Sequence, residues 1–266
     1  MPQNSKEDKL QAFSRLLDIM DELREKCPWD MKQTIQSLRH LSIEEVHELS
    51  DAILQNDINE IKKELGDVLL HIVFYARIAS ETNDFDIADV IHSLCEKLIR
   101  RHPHIYGNVE VENEEQVKQN WEQIKQTESK GEKSVLSGVP QSLPALLKAM
   151  RMQEKARAVG FDWEEKEQVW QKVEEEMQEF QAEFNPNNAF DAQKAEAEFG
   201  DLLFSLVNYA RFVDINPETA LERTNQKFQK RFQYLEKKAK ENGKKLSEMT
   251  LAEMDVYWNE AKTHSL

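Results

Sequence analysis

The chain is short of helix breakers, of cysteine, of long apolar stretches and of basic residues, and each shortage narrows what it can be. Seven glycines and seven prolines among 266 residues leave few turns, and helix-period patterning runs almost throughout, so an all-α protein is expected. Two cysteines, Cys27 and Cys95, give no disulfide framework and suit a reducing compartment, so a cytoplasmic location is expected. No apolar run reaches membrane-spanning length, and Met1-Pro2-Gln3-Asn4-Ser5-Lys6 carries no apolar signal region, so no membrane association is expected. Lys and Arg number 35 against 50 Asp and Glu, a net charge of −15. That balance argues against stable nucleic-acid binding through a basic face, and locally it suits carboxylates that hold metal.

What is present is an acidic pattern written twice. Glu198-Phe199-Gly200-Asp201 opens an apolar run from Leu202 to Val213. At 3.6 residues per turn Glu198 and Asp201 share one face, and the run behind them is apolar on nearly every face, which predicts a helix buried on all sides. Two acids there are costly unless cations compensate them. The helix dipole would favour acids in a first turn, but Asp191 to Ala197 already reads as helix, so Glu198 is not near a start. Glu64-Leu65-Gly66-Asp67 opens a matching run, and Gly, Asp and Tyr-Ala-Arg recur at a constant offset. Upstream lie Glu44-Glu45-Val46-His47-Glu48 and Glu175-Glu176-Met177-Gln178-Glu179. The repeated unit is Glu-Glu-x-x-Glu, a short gap, then Glu-x-x-Asp.

The repeat predicts two helical domains, 1–128 and 144–266, joined by a linker at 129–143 where polar residues give way to Gly138-Val139-Pro140 and Pro144. In the first, an amphipathic stripe from Leu10 to Leu23 stops before Pro28. Helices follow over about Ile35–Leu54, the Glu64 run, Asp86–Arg101 and Gln116–Glu128. In the second they cover Leu146–Ala156, Lys166–Phe184, the Glu198 run, Pro217–Asn242 and Leu251–Lys262. The gaps Gln55-Asn56-Asp57 and Asn185-Pro186-Asn187-Asn188 suit antiparallel helix pairs that bring the two acidic clusters together. His102 and His104 flank Pro103 after a helix end and read as structural.

Carboxylates converging from two helices are tolerable only around cations or protons. An all-oxygen set suits a hard divalent ion, Mg²⁺ with Mn²⁺ as a substitute. Lys172 stands on the face of Glu175, Glu176 and Glu179, and Lys194 stands likewise to Glu198 and Asp201. Lys227 and Arg231 are four apart, as are Trp258 and Lys262. Acids with cations beside them describe a polyphosphate site.

With these motifs the sequence resembles the full-length, two-repeat MazG-type nucleoside triphosphate pyrophosphohydrolases. The resemblance extends through Cys27-Pro28-Trp29-Asp30, Arg100-Arg101-His102-Pro103-His104, Gly138-Val139-Pro140 and Val159-Gly160-Phe161-Asp162-Trp163. It implies α-helical bundles of the all-α NTP pyrophosphatase type, a homodimer, and Mg²⁺-dependent water attack at the α-phosphorus of an NTP or dNTP. The products would be NMP and pyrophosphate, in a role of nucleotide-pool control. By the same resemblance Glu175, Glu176, Glu179, Glu198 and Asp201 would bind metal, and Lys172, Lys194, Lys227, Arg231, Trp258 and Lys262 would hold the nucleotide. Glu44, Glu45, Glu48, Glu64, Asp67, Lys97, Arg101, Trp121 and Lys125 form the matching set in the first repeat. Glu196-Ala197-Glu198 departs from the family's Glu-Glu-Glu. A di-iron carboxylate bundle is the first alternative, but Gln178 and Ser205 stand where it would need the partners of His47 and His71. A non-catalytic scaffold is the second, and it leaves the repeated acids unexplained. Leu41 and Glu60 stand where the second repeat has Lys172 and Lys194, which predicts that the second repeat carries the main activity. Arg39, Lys62 and Lys63 would compensate only in part.

Overall fold

A computed structural model describes residues 4–128, 134–185 and 190–264. The linker residues 129–133 and the gap residues 186–188 fall outside them. Among the described residues every regular element is a helix, so the all-α expectation holds. No helix among them is long and apolar enough to cross a membrane.

The chain divides into two compact units, Met1–Trp121 and Glu122–Leu266. The first opens with α1 (Lys6–Lys26), which starts at a capping box between Ser5 and Asp8 and stops before Pro28. A 3-10 turn (Asp30–Lys32) leads to α2 (Ile35–Gln55), capped by Thr34 and Ser37. That helix ends because Asn56 turns left-handed, at φ 54°. Asp57 then caps α3 (Ile58–Ser80), its Oδ1 accepting from the N–H groups of Asn59 at 3.0 Å and Glu60 at 3.2 Å. Two linking residues reverse the chain, and α2 packs along α3. Then come α4 (Ile87–Arg101), the short α5 (Pro103–Tyr106) and α6 (Glu114–Glu128), which runs across the division between the units.

Met20, Leu38, Val73 and Phe74 form the first unit's core, with Phe13, Leu16, Leu41 and Tyr75 packed on it. Burying such side chains contributes about 1.5–3 kcal/mol each. Arg24, whose side chain is 10% exposed, ties the pieces together. Its guanidinium meets Glu81 at the end of α3 through two bonds of 2.7 and 2.9 Å, and it donates to the Gln33 carbonyl at 3.0 Å and to the Asp30 carbonyl.

The second unit holds a 3-10 turn (Val135–Gly138), α7 (Ala145–Ala158), α8 (Lys166–Ala182), α9 (Ala192–Phe212), α10 (Pro217–Glu241), a further 3-10 turn (Leu246–Glu248) and α11 (Leu251–Thr263). Here α8 packs along α9 and α10 along α11. Val169, Val173, Ala195, Leu202, Val207, Leu235, Ala239 and Ala261 are buried.

One expectation is corrected. The apolar helices are not buried on all sides, because each meets its neighbours within the chain on only part of its surface. Leu65, Leu69 and Ile72 on α3, and Phe199, Leu203 and Leu206 on α9, are exposed. Their spacing of three and four residues makes a stripe. On α2 the apolar residues Ile43, Val46 and Ile53 are also exposed.

Candidate active site

Each helix pair gathers acids from both of its members. In the first unit, carboxylate oxygens of Glu45, Glu48 and Glu64 lie within 4.8 Å of one another; in the second, those of Glu176, Glu198 and Asp201 do. Glu44, Asp67, Glu175 and Glu179 stand outside these sets. Charge still links them: Asp67 and Glu44 bear on Glu45, while Glu176 and Glu198 bear on Glu179. Both clusters are all-oxygen, and Glu64 Oε2 is buried with no hydrogen-bond partner. An orphaned carboxylate oxygen beside two more carboxylates is the donor set a hard divalent cation would satisfy.

The electrostatics follow from this crowding. Desolvation, then the charges of Asp67, Glu48, Glu64 and Glu44, push the Glu45 carboxyl above its usual range. Glu179 shifts the same way, through desolvation and then the charges of Glu176 and Glu198. Lysines oppose the repulsion. Lys172 Nζ lies 2.8 Å from Glu175 Oε1 and 2.7 Å from Glu176 Oε1. In the first unit Lys63 Nζ lies 2.9 Å from Glu64 Oε1 and 3.3 Å from Glu60 Oε2. These bonds raise the pKa of both ammonium groups. Leu41, read as a cation lost from the first site, packs instead on the core, and Lys63 supplies the cation from the other helix.

The second cluster adjoins a cavity of about 690 Å³ lined in part by Glu176, Asp201 and Lys172. Its walls are largely apolar, with Met152, Val159, Phe161, Trp163 and Phe204. Gln153, Asn208 and Arg211 add polar groups, and Gln153 is buried, its Nε2 donating to the Phe204 carbonyl at 2.8 Å. Lys194, Lys227, Arg231, Trp258 and Lys262 are not among its lining residues. Four of them lie on α10 and α11, where Arg231 and Trp258 meet. The Arg231 guanidinium lies 6.0 Å from the Trp258 ring centroid, Phe228 packs on Trp258 with centroids 5.0 Å apart, and Lys262 donates to Asn259 at 2.9 Å. Lys227 and Lys194 are exposed.

In the first unit Lys97 is exposed and Arg101 half-buried on α4. Trp121 packs near His102, at 6.4 Å between centroids, while Lys125, on the same helix, falls in the second unit. His102 Nδ1 meets the Leu98 carbonyl at 2.7 Å, which closes the end of α4. His71 is buried beside the first cluster, its Nδ1 without a partner, and burial lowers its pKa. Ser205 takes its place in the second unit and donates to the Leu202 carbonyl at 2.9 Å. Sequence reasoning missed Lys63 as the glutamate's partner. It also left Met152, Gln153, Phe204, Asn208 and Arg211 without a role. Of these only Arg211 had a visible signal, as the last residue of the repeated Tyr-Ala-Arg.

Residues 33–106 match the model of the MazG nucleotide pyrophosphohydrolase domain family, a span that takes in the first unit's acidic helices. The chain is 44% identical over 253 residues to the nucleoside triphosphate pyrophosphohydrolase/pyrophosphatase MazG of Thermotoga maritima, covering 94% of this chain and 95% of that protein. It is 38% identical over 262 residues to the nucleoside triphosphate pyrophosphohydrolase of Escherichia coli K12, covering 97% and 99%. It is 49% identical to the uncharacterised protein YabN of Bacillus subtilis, over 97% of this chain and 53% of that one.

Proposed function

Because this chain belongs to the MazG nucleotide pyrophosphohydrolase family, we propose that it hydrolyses nucleoside triphosphates, NTP or dNTP, to nucleoside monophosphate and pyrophosphate. The observation that carries this reading is the meeting of Glu176, Glu198 and Asp201 beside an apolar cavity of about 690 Å³. That volume falls within the usual range of small-molecule sites, roughly 300–1,000 Å³.

Glu176, Glu198 and Asp201 would hold Mg²⁺, or Mn²⁺ in its place, with Glu175 and Glu179 beside them. A divalent ion there would neutralise triphosphate charge and make a water more acidic. The residues around it do the rest. Glu179 holds its proton more tightly than an ordinary carboxyl and is suited to take the proton from the water that attacks the α-phosphorus. Lys172 and Lys194, from the two acidic helices, would meet phosphate oxygens and favour departure of pyrophosphate. Lys227, Arg231 and Lys262 would add positive charge, and Trp258 an aromatic face for the base. Phe161 and Trp163 in the cavity offer a second such face.

The repeat boundaries 1–128, 129–143 and 144–266 belong to the same reading, with the second repeat as the main catalytic one. The cavity beside the second cluster supports that choice, while the family match over 33–106 and the Lys63–Glu64 pair support a site in the first repeat as well. A homodimer is part of the proposal. The exposed stripes on α3 and α9, with Ile91, Leu94 and Leu98 on α4, are apolar surface of the kind a second copy covers. A cytoplasmic role in nucleotide-pool control fits this chemistry, with no nucleic-acid or membrane partner. The test is a panel of NTPs with and without Mg²⁺. NMP and pyrophosphate should form only with the metal, and no turnover in any combination would overturn the reading.

A further inference from the structure

In each unit the most deeply buried acid of the cluster is held by a lysine, and the two units do this with different residues. Lys172 on α8 reaches Glu176, which is 7% exposed; Lys63 on α3 reaches Glu64, which is 3% exposed. Glu176 belongs to Glu-Glu-x-x-Glu, whereas Glu64 belongs to Glu-x-x-Asp. Their counterparts in the repeat, Glu45 and Glu198, are half-buried. The lysine therefore follows the buried acid and not the register of the repeat. A buried carboxylate needs a positive neighbour, and each unit meets that need in its own way.

We infer that Lys172 and Lys63 are stand-in cations, which neutralise the buried glutamate until a divalent ion enters and displaces them, freeing the ammonium for a phosphate of the substrate. This rests on the metal-site reading above. Glu176 belongs both to the ion pair with Lys172 and to the set of oxygens within 4.8 Å. An ammonium and a divalent cation on one carboxylate repel each other strongly at that range. In the first unit Lys63 satisfies only one oxygen of Glu64, and Oε2 stays buried without a partner. The consequence is coupling. The lysine opposes the ion when no substrate is bound, a triphosphate that engages the lysine removes the opposition, and by linkage the ion favours the triphosphate equally.

The experiment uses the full chain with Glu45→Gln and Glu48→Gln, which removes two of the three first-unit acids. Mn²⁺ binding without nucleotide, read from the electron paramagnetic resonance of free Mn²⁺, is compared for Lys172, Lys172→Met and Lys172→Arg. The Met variant should bind Mn²⁺ roughly tenfold more tightly and melt at a lower temperature without metal, and Arg should restore both values. Unchanged or weaker binding in the Met variant would overturn the inference, since it would make Lys172 a residue that only orients Glu176. No binding by any of the three would overturn the metal site itself. Lys63→Met in a chain carrying Glu198→Gln and Asp201→Asn repeats the test in the first unit, at a side chain 61% exposed.

Discussion

Arg211 on α9 grips Asp162, in the loop after α7, through both guanidinium nitrogens, Nη1 to Oδ2 at 2.9 Å with Nη2 on Oδ1. The two side chains are 16% and 20% exposed, and Arg211 also donates to Asn208 on its own helix, at 3.2 and 2.9 Å. All three line the cavity, and Asp162 is flanked by Phe161 and Trp163. A bidentate pair fixes orientation as well as distance, so this one sets where the aromatic wall stands. Its counterpart Arg77 is used differently, pairing with Asp21 on α1 and Glu81.

Arg211→Met should therefore cost about 2 kcal/mol of stability, between the values for exposed and buried pairs, and raise KM for nucleotide more than it lowers kcat. Asp162→Ala should do the same. The double variant should cost little more than either single one, because each already breaks the pair. Chemical denaturation and steady-state kinetics on the three variants check this.

The crowded acids make metal-free stability depend on pH in a direction unusual for carboxylates. Glu45 and Glu179 have folded-state pKa values raised above the ordinary 4.5. The folded state then holds more protons than the unfolded one, and stability falls as pH rises through those raised values. Glu45→Gln should flatten this fall and leave the metal-free protein more stable at neutral pH than wild type. Adding Mg²⁺ should remove the wild type's disadvantage. Thermal melts across pH, with and without metal, give both readings.

The start of α11 behaves in the opposite sense. Glu253 closes a capping box with Thr250, accepting from its N–H at 2.8 Å, and meets Lys244 at 2.7 Å. Its pKa is lowered to about 2, first by Lys244 and then by Thr250. Its contribution should be complete above the ordinary 4.5 and lost as pH falls through about 2. Glu253→Gln should lower the thermal midpoint near neutral pH and narrow its gap from wild type in strong acid. Because α11 carries Trp258 and Lys262, nucleotide affinity should fall with it.

The helices, and three of the five acids expected at each cluster, were legible in the sequence because their signals are local. Caps such as Asp57 and Asp86 and the break at Pro28 fix helix ends from neighbouring residues, and a spacing of three places Glu198 and Asp201 on one face. What was not legible depends on packing. Leu41 could be read as a residue missing from a site, and only the structure shows that it packs against the core. Lys63 precedes Glu64 by one position, a spacing at which helix side chains do not face each other, yet its long stem reaches the carboxylate. The cavity draws on residues from Val135 to Arg211, and no spacing in the sequence announces that they meet.

The relative weight of the two repeats is tested by a matched pair. Asp201→Ala should lower NTP turnover about a hundredfold or more, as loss of one stabilising group commonly does. Asp67→Ala should lower it only slightly. Loss in the Asp67 variant alone would reverse the assignment, and halving in each would mean two equivalent sites.

The central claim is that water attacks the α-phosphorus, and product analysis in 18O-labelled water tests it most directly. With Mg²⁺ present, the account requires NMP and pyrophosphate as products, with the label in the phosphate of NMP and none in pyrophosphate. Label in pyrophosphate, or NDP and orthophosphate as the products, would contradict it.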